Sequence, residues 1–146
     1  MHAISLTQPW ASAIALGLKN WETRSWHTNY RGPLAIHAAK GFPRWAKDFA
    51  REENFMLRLP KVEELPLGAI VCVCELTDCR PTQSVSLEIG DLERKYGDYH
   101  EGRYAYKLEN VRPLAESCPC VGSRRFWPVN MELWMAIREC MPGRKL

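Results

Sequence analysis

Short apolar runs between turn residues mark the first elements of this chain. Residues 3–6 (AISL) and 34–38 (LAIHA) predict strands, and 68–77 (GAIVCVCELT) is apolar on both faces, as a strand inside a sheet would be. Residues 8–16 (QPWASAIAL) predict a short helix, with Thr7 available as N-cap, Pro9 early in the first turn and Gly17 at its end. Residues 20–26 alternate, Trp21, Thr23 and Ser25 on one face and Glu22, Arg24 and Trp26 on the other. Arg31-Gly32-Pro33 marks a turn. Phe42, Trp45, Ala46, Phe49, Ala50, Met56 and Leu57 recur at helical spacing with charged residues opposite, the clearest amphipathic helix of the sequence. Residues 87–96 predict another helix, interrupted by Gly90. A long strand region follows at 103–114, then a loop with a short strand at 122–129, and a closing helix at 131–141 capped by Asn130. Strands separated by irregular helices do not fit a regular βαβ winding. A small β-barrel decorated by helices, mainly β or α+β, fits better.

At 146 residues the chain is sized for one domain spanning 1–146. The longest apolar run, residues 69–74, is far shorter than the roughly 20 residues a membrane-spanning helix needs. The opening MHAISLTQPW has neither a basic stretch nor a long apolar one, so no secretion signal or membrane role is expected. The overall charge of +3 is weak, but it is unevenly spread: residues 1–60 carry +4, 61–100 carry −4 and 101–146 carry +3. If the two ends meet in space, a basic face forms that suits a phosphate-bearing partner.

Six cysteines raise the question of disulfides or zinc. Cys72 and Cys74 share one strand face and cannot comfortably bridge each other, and Cys118-Pro119-Cys120 has poor spacing for a zinc knuckle. Free thiols, no metal and a reducing cytoplasm are the expectation.

Glu75 is the expensive residue, a carboxylate among Val71, Val73, Cys74 and Leu76. It either reaches water at a strand end or enters a polar pocket with Lys19, Arg24 or Lys40. In GLKNWETRSW, residues 17–26, two cations, one anion and an indole lie close together. Such a patch can hold a phosphate while a base stacks on Trp26, or it can be a solvated edge strand whose charges neutralise one another. Trp10, Trp45 and Trp134 sit at helical spacing and read as core, whereas Trp26 and Trp127 lie beside arginines in non-helical segments. GSRRFW, with Arg124, Arg125 and Trp127, is either a base-stacking loop or a tryptophan plug at a barrel end. His37, alternating with alanines, fits a hydrogen-bonded core histidine or a catalytic one. The sequence has no P-loop, Rossmann fingerprint, HExxH or GxSxG.

GLKNWETR also fits the G-x-K-x-x-E-x-R signature of the ASCH (activating signal cointegrator homology) domain. Residues 5–40 as a whole resemble the N-terminal half of that family. GAIVCVCELTDC is similar to its central strand, GRYAYKLENVRPL to its later strand and VGSRRFWPV to its closing G-x-x-x-W loop. The resemblance covers roughly residues 4–129 and implies a PUA-like barrel with a cleft between barrel and helices. It also implies that RNA, single-stranded DNA or a modified nucleoside binds in that cleft, with no cofactor.

Carried over by position, the resemblance singles out Lys19, Glu22, Arg24, Trp26, Glu75 and Trp127; with Lys40 and Arg125 from the reading of the residues, the expected ligand-binding set is Lys19, Arg24, Trp26, Lys40, Arg125 and Trp127, on a protein expected to be monomeric. Some relatives are enzymes: one branch resembles amidohydrolases that deacetylate acetylcytidine with a lysine, a threonine and a glutamate, and another a ribonuclease. Lys19 and Glu75 match two of the three amidohydrolase positions, but Glu22 stands where the threonine would be. The hydrolase alternative therefore rests on Lys19 with Glu22 and Glu75, Glu22 activating water and Lys19 stabilising an oxyanion. A third alternative is an interaction domain with a vestigial cleft.

Overall fold

The computed structural model describes residues 1–52 and 57–143. Six strands, β1 (His2–Leu6), β2 (Trp21–Arg24), β3 (Gly32–Ala38), β4 (Ala69–Pro81), β5 (Tyr104–Pro119) and β6 (Trp127–Pro128), form one curled sheet in the order β2-β5-β4-β3-β1-β6. The β1–β3 pair is parallel and the other pairs are antiparallel. Among the described residues five α-helices flank it: α1 (Trp10–Ala15), α2 (Arg44–Ala50), α3 (Thr82–Val85), α4 (Asp91–Lys95) and α5 (Met131–Glu139). None is long and apolar enough to cross a membrane.

Alternation sorts the strands onto two cores. Ile4, Leu6, Leu34, Ile36, Cys74 and Leu76 face α1, which contributes Ala11 and Ile14. Ala3, Ala35, Ile70, Val73 and Trp127 face the other way and pack on Ile137 of α5. The doubly apolar run of β4 follows from this position, because β3 and β5 pair with it on either side and both its faces are covered.

Local chemistry moves several boundaries. The first helix is held at its start by Gln8, not Thr7: the buried Gln8 side chain accepts from Ser12 N at 3.0 Å and donates to Ser12 Oγ at 2.8 Å and Pro66 O at 3.0 Å. Of the amphipathic stretch only Arg44–Ala50 is the helix α2, Leu57 is exposed, and Met56 lies outside the described residues. Trp45, expected in the core, is 63% exposed. The helix expected over 87–96 is confined to Asp91–Lys95, with Gly90 in extended conformation as its N-cap. Asn130 caps α5, its Oδ1 accepting from Leu133 N at 2.8 Å.

Candidate functional site

The short strand β2 sits at the sheet edge, and its alternation buries Trp21 and Thr23 while Glu22 and Arg24 are only partly covered. Lys19, just before it, is fully buried. Its Nζ lies 3.8 Å from Glu22 Oε1 and 3.8 Å from Glu93 Oε1, and it donates to Trp21 O. Burial lowers the Lys19 pKa, opposed by the two carboxylates, and Arg24 adds a further lowering. Glu93, from α4, also accepts from the main chain of Asn20 and Trp21 at 2.9 and 3.0 Å, which ties α4 to the start of β2. Tyr99 OH donates to Glu93 at 3.4 Å, and burial together with that carboxylate pushes its phenol pKa well up.

Arg24 extends this network outward. Its Nη2 is 3.2 Å from Glu22 Oε2 and donates to Ser5 O at 2.8 Å, while its Nε is buried with no hydrogen-bond partner among the described residues. Beside it opens a groove of about 610 Å³ lined by Glu22, Arg24, Lys95 and Arg103 together with Trp10, Trp45 and Phe49. Trp10 stacks on Phe49 with centroids 5.2 Å apart and meets Trp45 at 5.7 Å. Arg103 is held by Thr23 O at 3.1 Å and by Asp98. A second cavity, of about 1030 Å³, lies on the other side of Ser5, with His37, Lys40, Gly122 and Arg124 in its wall. Ser5 is common to both.

The structure brings Lys19, Glu22 and Arg24 together, as their spacing suggested. Lys19 is sealed from solvent, so it cannot touch a phosphate directly; it holds Glu22 from behind. Glu75 does not join them. It alternates with Cys74 and Leu76, which face α1, so its side chain leaves on the opposite side with Val73 and meets Arg112 at 3.9 Å, about one-third exposed.

Trp26 falls two residues beyond β2, leaves the strand's alternation and packs edge-on against Tyr106 and Phe126, with Arg125 over its ring at 5.7 Å. Trp127 is the core plug rather than a base-stacking group: it is buried on the α5 side, edge-to-face with His37 at 5.7 Å, and its Nε1 has no partner among the described residues. Lys40 is separated from Lys19 and lines the second cavity. Among the described residues no group of three or more His, Cys, Asp or Glu is placed to hold a metal ion.

Sequence reasoning missed Glu93, Arg103 and the aromatic wall. Nothing in the local pattern marks Glu93, which looks like any charged residue of a surface helix. Trp45 had a signal, since the residues around it are as charged as they are apolar.

The ASCH domain profile matches residues 4–115, and the chain belongs to that family, with its PUA-like fold. Activating signal cointegrator 1 of Mus musculus and that of Homo sapiens are each 25% identical over 140 residues, a match covering 93% of this chain and 23% of theirs. The chain thus spans about a quarter of the length of those relatives. The crystal structure of ASCH from Zymomonas mobilis superposes with a TM-score of 0.60 at 14% identity, covering 96% of this chain and 94% of that one. A point variant of the same protein gives 0.60 at 15% identity, covering 96% and 95%. At that identity the likeness is one of fold.

Proposed function

We propose that this chain is a binding module for single-stranded nucleic acid, RNA foremost, that takes a base and its phosphate in the groove between β2 and α2. One observation carries the reading: an exposed indole, Trp45, stands beside the Trp10–Phe49 stack and shares a groove with the partly exposed guanidinium of Arg24. An aromatic platform of this kind accepts a base face, and a guanidinium reaching the same groove favours a phosphate. Membership of the ASCH family supports the same reading. Lys40 and Arg124 in the adjoining cavity, with Arg125 nearby in sequence, extend the basic track past Ser5. Arg125 and Trp26 serve as its outer edge. We assign the whole chain to one domain, because β6 and α5, beyond the matched residues, complete the same sheet and core. The hydrolase alternative is weaker, since Lys19 is sealed and Glu75 lies on the other face of the sheet.

The test is anisotropy titration of labelled single-stranded RNA and DNA pools at two salt concentrations. With about three phosphates neutralised, the log–log salt slope should be about −2, an affinity loss of about 20-fold between 50 and 200 mM. A flat response, or no binding by any pool, would overturn the proposal.

A further inference from the structure

The second cavity contains a pair of residues that the groove does not use. Ser5 and His37 sit opposite each other on the parallel strands β1 and β3, on the face turned towards α5. His37 Nε2 lies 3.0 Å from Cys120 O, and Nδ1 lies 2.9 Å from Ser5 Oγ. A carbonyl only accepts, so Nε2 carries the proton, and in the neutral imidazole Nδ1 offers its lone pair to the serine hydroxyl. A nucleophile, a base and a group that orients the base are thus arranged in series, with a main-chain carbonyl in the orienting place. Trp127 braces the imidazole edge-to-face.

Gly122 packs its main chain against the pair. A Cβ there would come within 2.6 Å of both Ser5 Oγ and His37 Cε1, so only glycine allows this close approach. Both residues line the cavity of about 1030 Å³ that also presents Lys40 and Arg124. Those two cations select a negatively charged molecule and favour the charge that builds on a carbonyl oxygen under attack.

We propose that Ser5 and His37 form a nucleophile–base pair that transfers acyl groups from small carboxylic esters bearing a negative charge. Ser5 Oγ attacks the ester carbonyl as its proton passes to His37 Nδ1, and the Oγ–C bond forms. The tetrahedral adduct then expels the alkoxide, which takes the proton from Nδ1. Water repeats the sequence on the acyl-serine, releasing the carboxylic acid and restoring Ser5. The Ser5–His37 pair takes no part in the nucleic-acid reading, which shares only Lys40 and Arg124 with it, and the readouts contain no nucleic acid.

The full chain is treated with a fluorophosphonate, in which Oγ displaces fluoride from phosphorus, and mapped by peptide mass spectrometry. One adduct is expected, on Ser5, absent in Ser5→Ala and formed about 100-fold more slowly in His37→Gln. In the unsubstituted protein, the position of the adduct is a readout that needs no variant to fold. Hydrolysis of p-nitrophenyl succinate should exceed that of the neutral acetate ester, and Lys40→Ala should lower the former more than the latter. Absence of a Ser5 adduct, or a rate unchanged in His37→Gln, would each overturn the proposal.

Discussion

Lys19 shows how a signature residue can act without touching a ligand. It is a single ammonium between Glu22 and Glu93, both of them nearly covered. Replacing it with methionine leaves two carboxylates facing each other with little solvent, which should destabilise the fold by about 3–5 kcal/mol in urea titration. Adding Glu93→Gln should recover part of that loss by removing one of the unpaired charges. A loss below about 1 kcal/mol in the single variant would mean that water reaches the site. Trp45 is the opposite case. Being mostly exposed, it should be replaceable by alanine with a stability change within about 0.5 kcal/mol. The same change should cost about 1–3 kcal/mol of single-strand affinity, which separates a stacking platform from a structural residue.

At the scale of elements, termination decides what each residue can do. Asn130 was legible as a cap because a side-chain acceptor before an apolar-periodic run has few other uses, and Asn130→Ala should lower stability by about 1 kcal/mol in thermal or urea unfolding. The length of β2 was not legible. The alternation of residues 20–26 reads as one strand, but pairing with β5 ends at Arg24 opposite Tyr104, so Trp26 escapes the face it shares on paper with Glu22 and Arg24. The loop between β5 and β6 is fixed by His37, whose bond to Cys120 O reaches across 83 residues of sequence. Gly122→Ala would drive a methyl into that histidine and Ser5, and a destabilisation of about 1–3 kcal/mol is expected from the same unfolding measurements.

For the whole molecule the buried acids set the response to alkali. Burial pushes the Cys74 thiol up to about 12 and, with Cys140 beside it, that of Cys118 up to about 11; it also raises the phenols of Tyr99 and Tyr106. In the unfolded chain these thiols ionise near 9 and the phenols near 10, so above those values the unfolded state binds fewer protons than the folded one and stability falls as pH rises. Lys19 acts in the other direction, because its lowered pKa makes stability rise between the folded value and 10.5. Among the described residues the thiols of Cys72, Cys79 and Cys120 and the phenols of Tyr30 and Tyr96 are raised as well, so the raised acids outweigh the lowered lysine and give a net loss. Unfolding midpoints should drop steadily above about pH 9, and phenolate absorbance should show Tyr99 and Tyr106 titrating only as the protein unfolds.

The sequence by itself determined the strands, the interior position of β4, the cap of α5 and the grouping of Lys19, Glu22 and Arg24, because periodicity, capping and close spacing are local properties. Only the tertiary structure decided that Glu75 leaves the sheet on the far side, that Trp127 is core and Trp45 is not, and that Glu93, Arg103 and the Ser5–His37 pair come to face cavities. Which face of a strand meets a helix, and which segments converge on one hollow, depends on how distant elements pack, and no short stretch of chain encodes that alone.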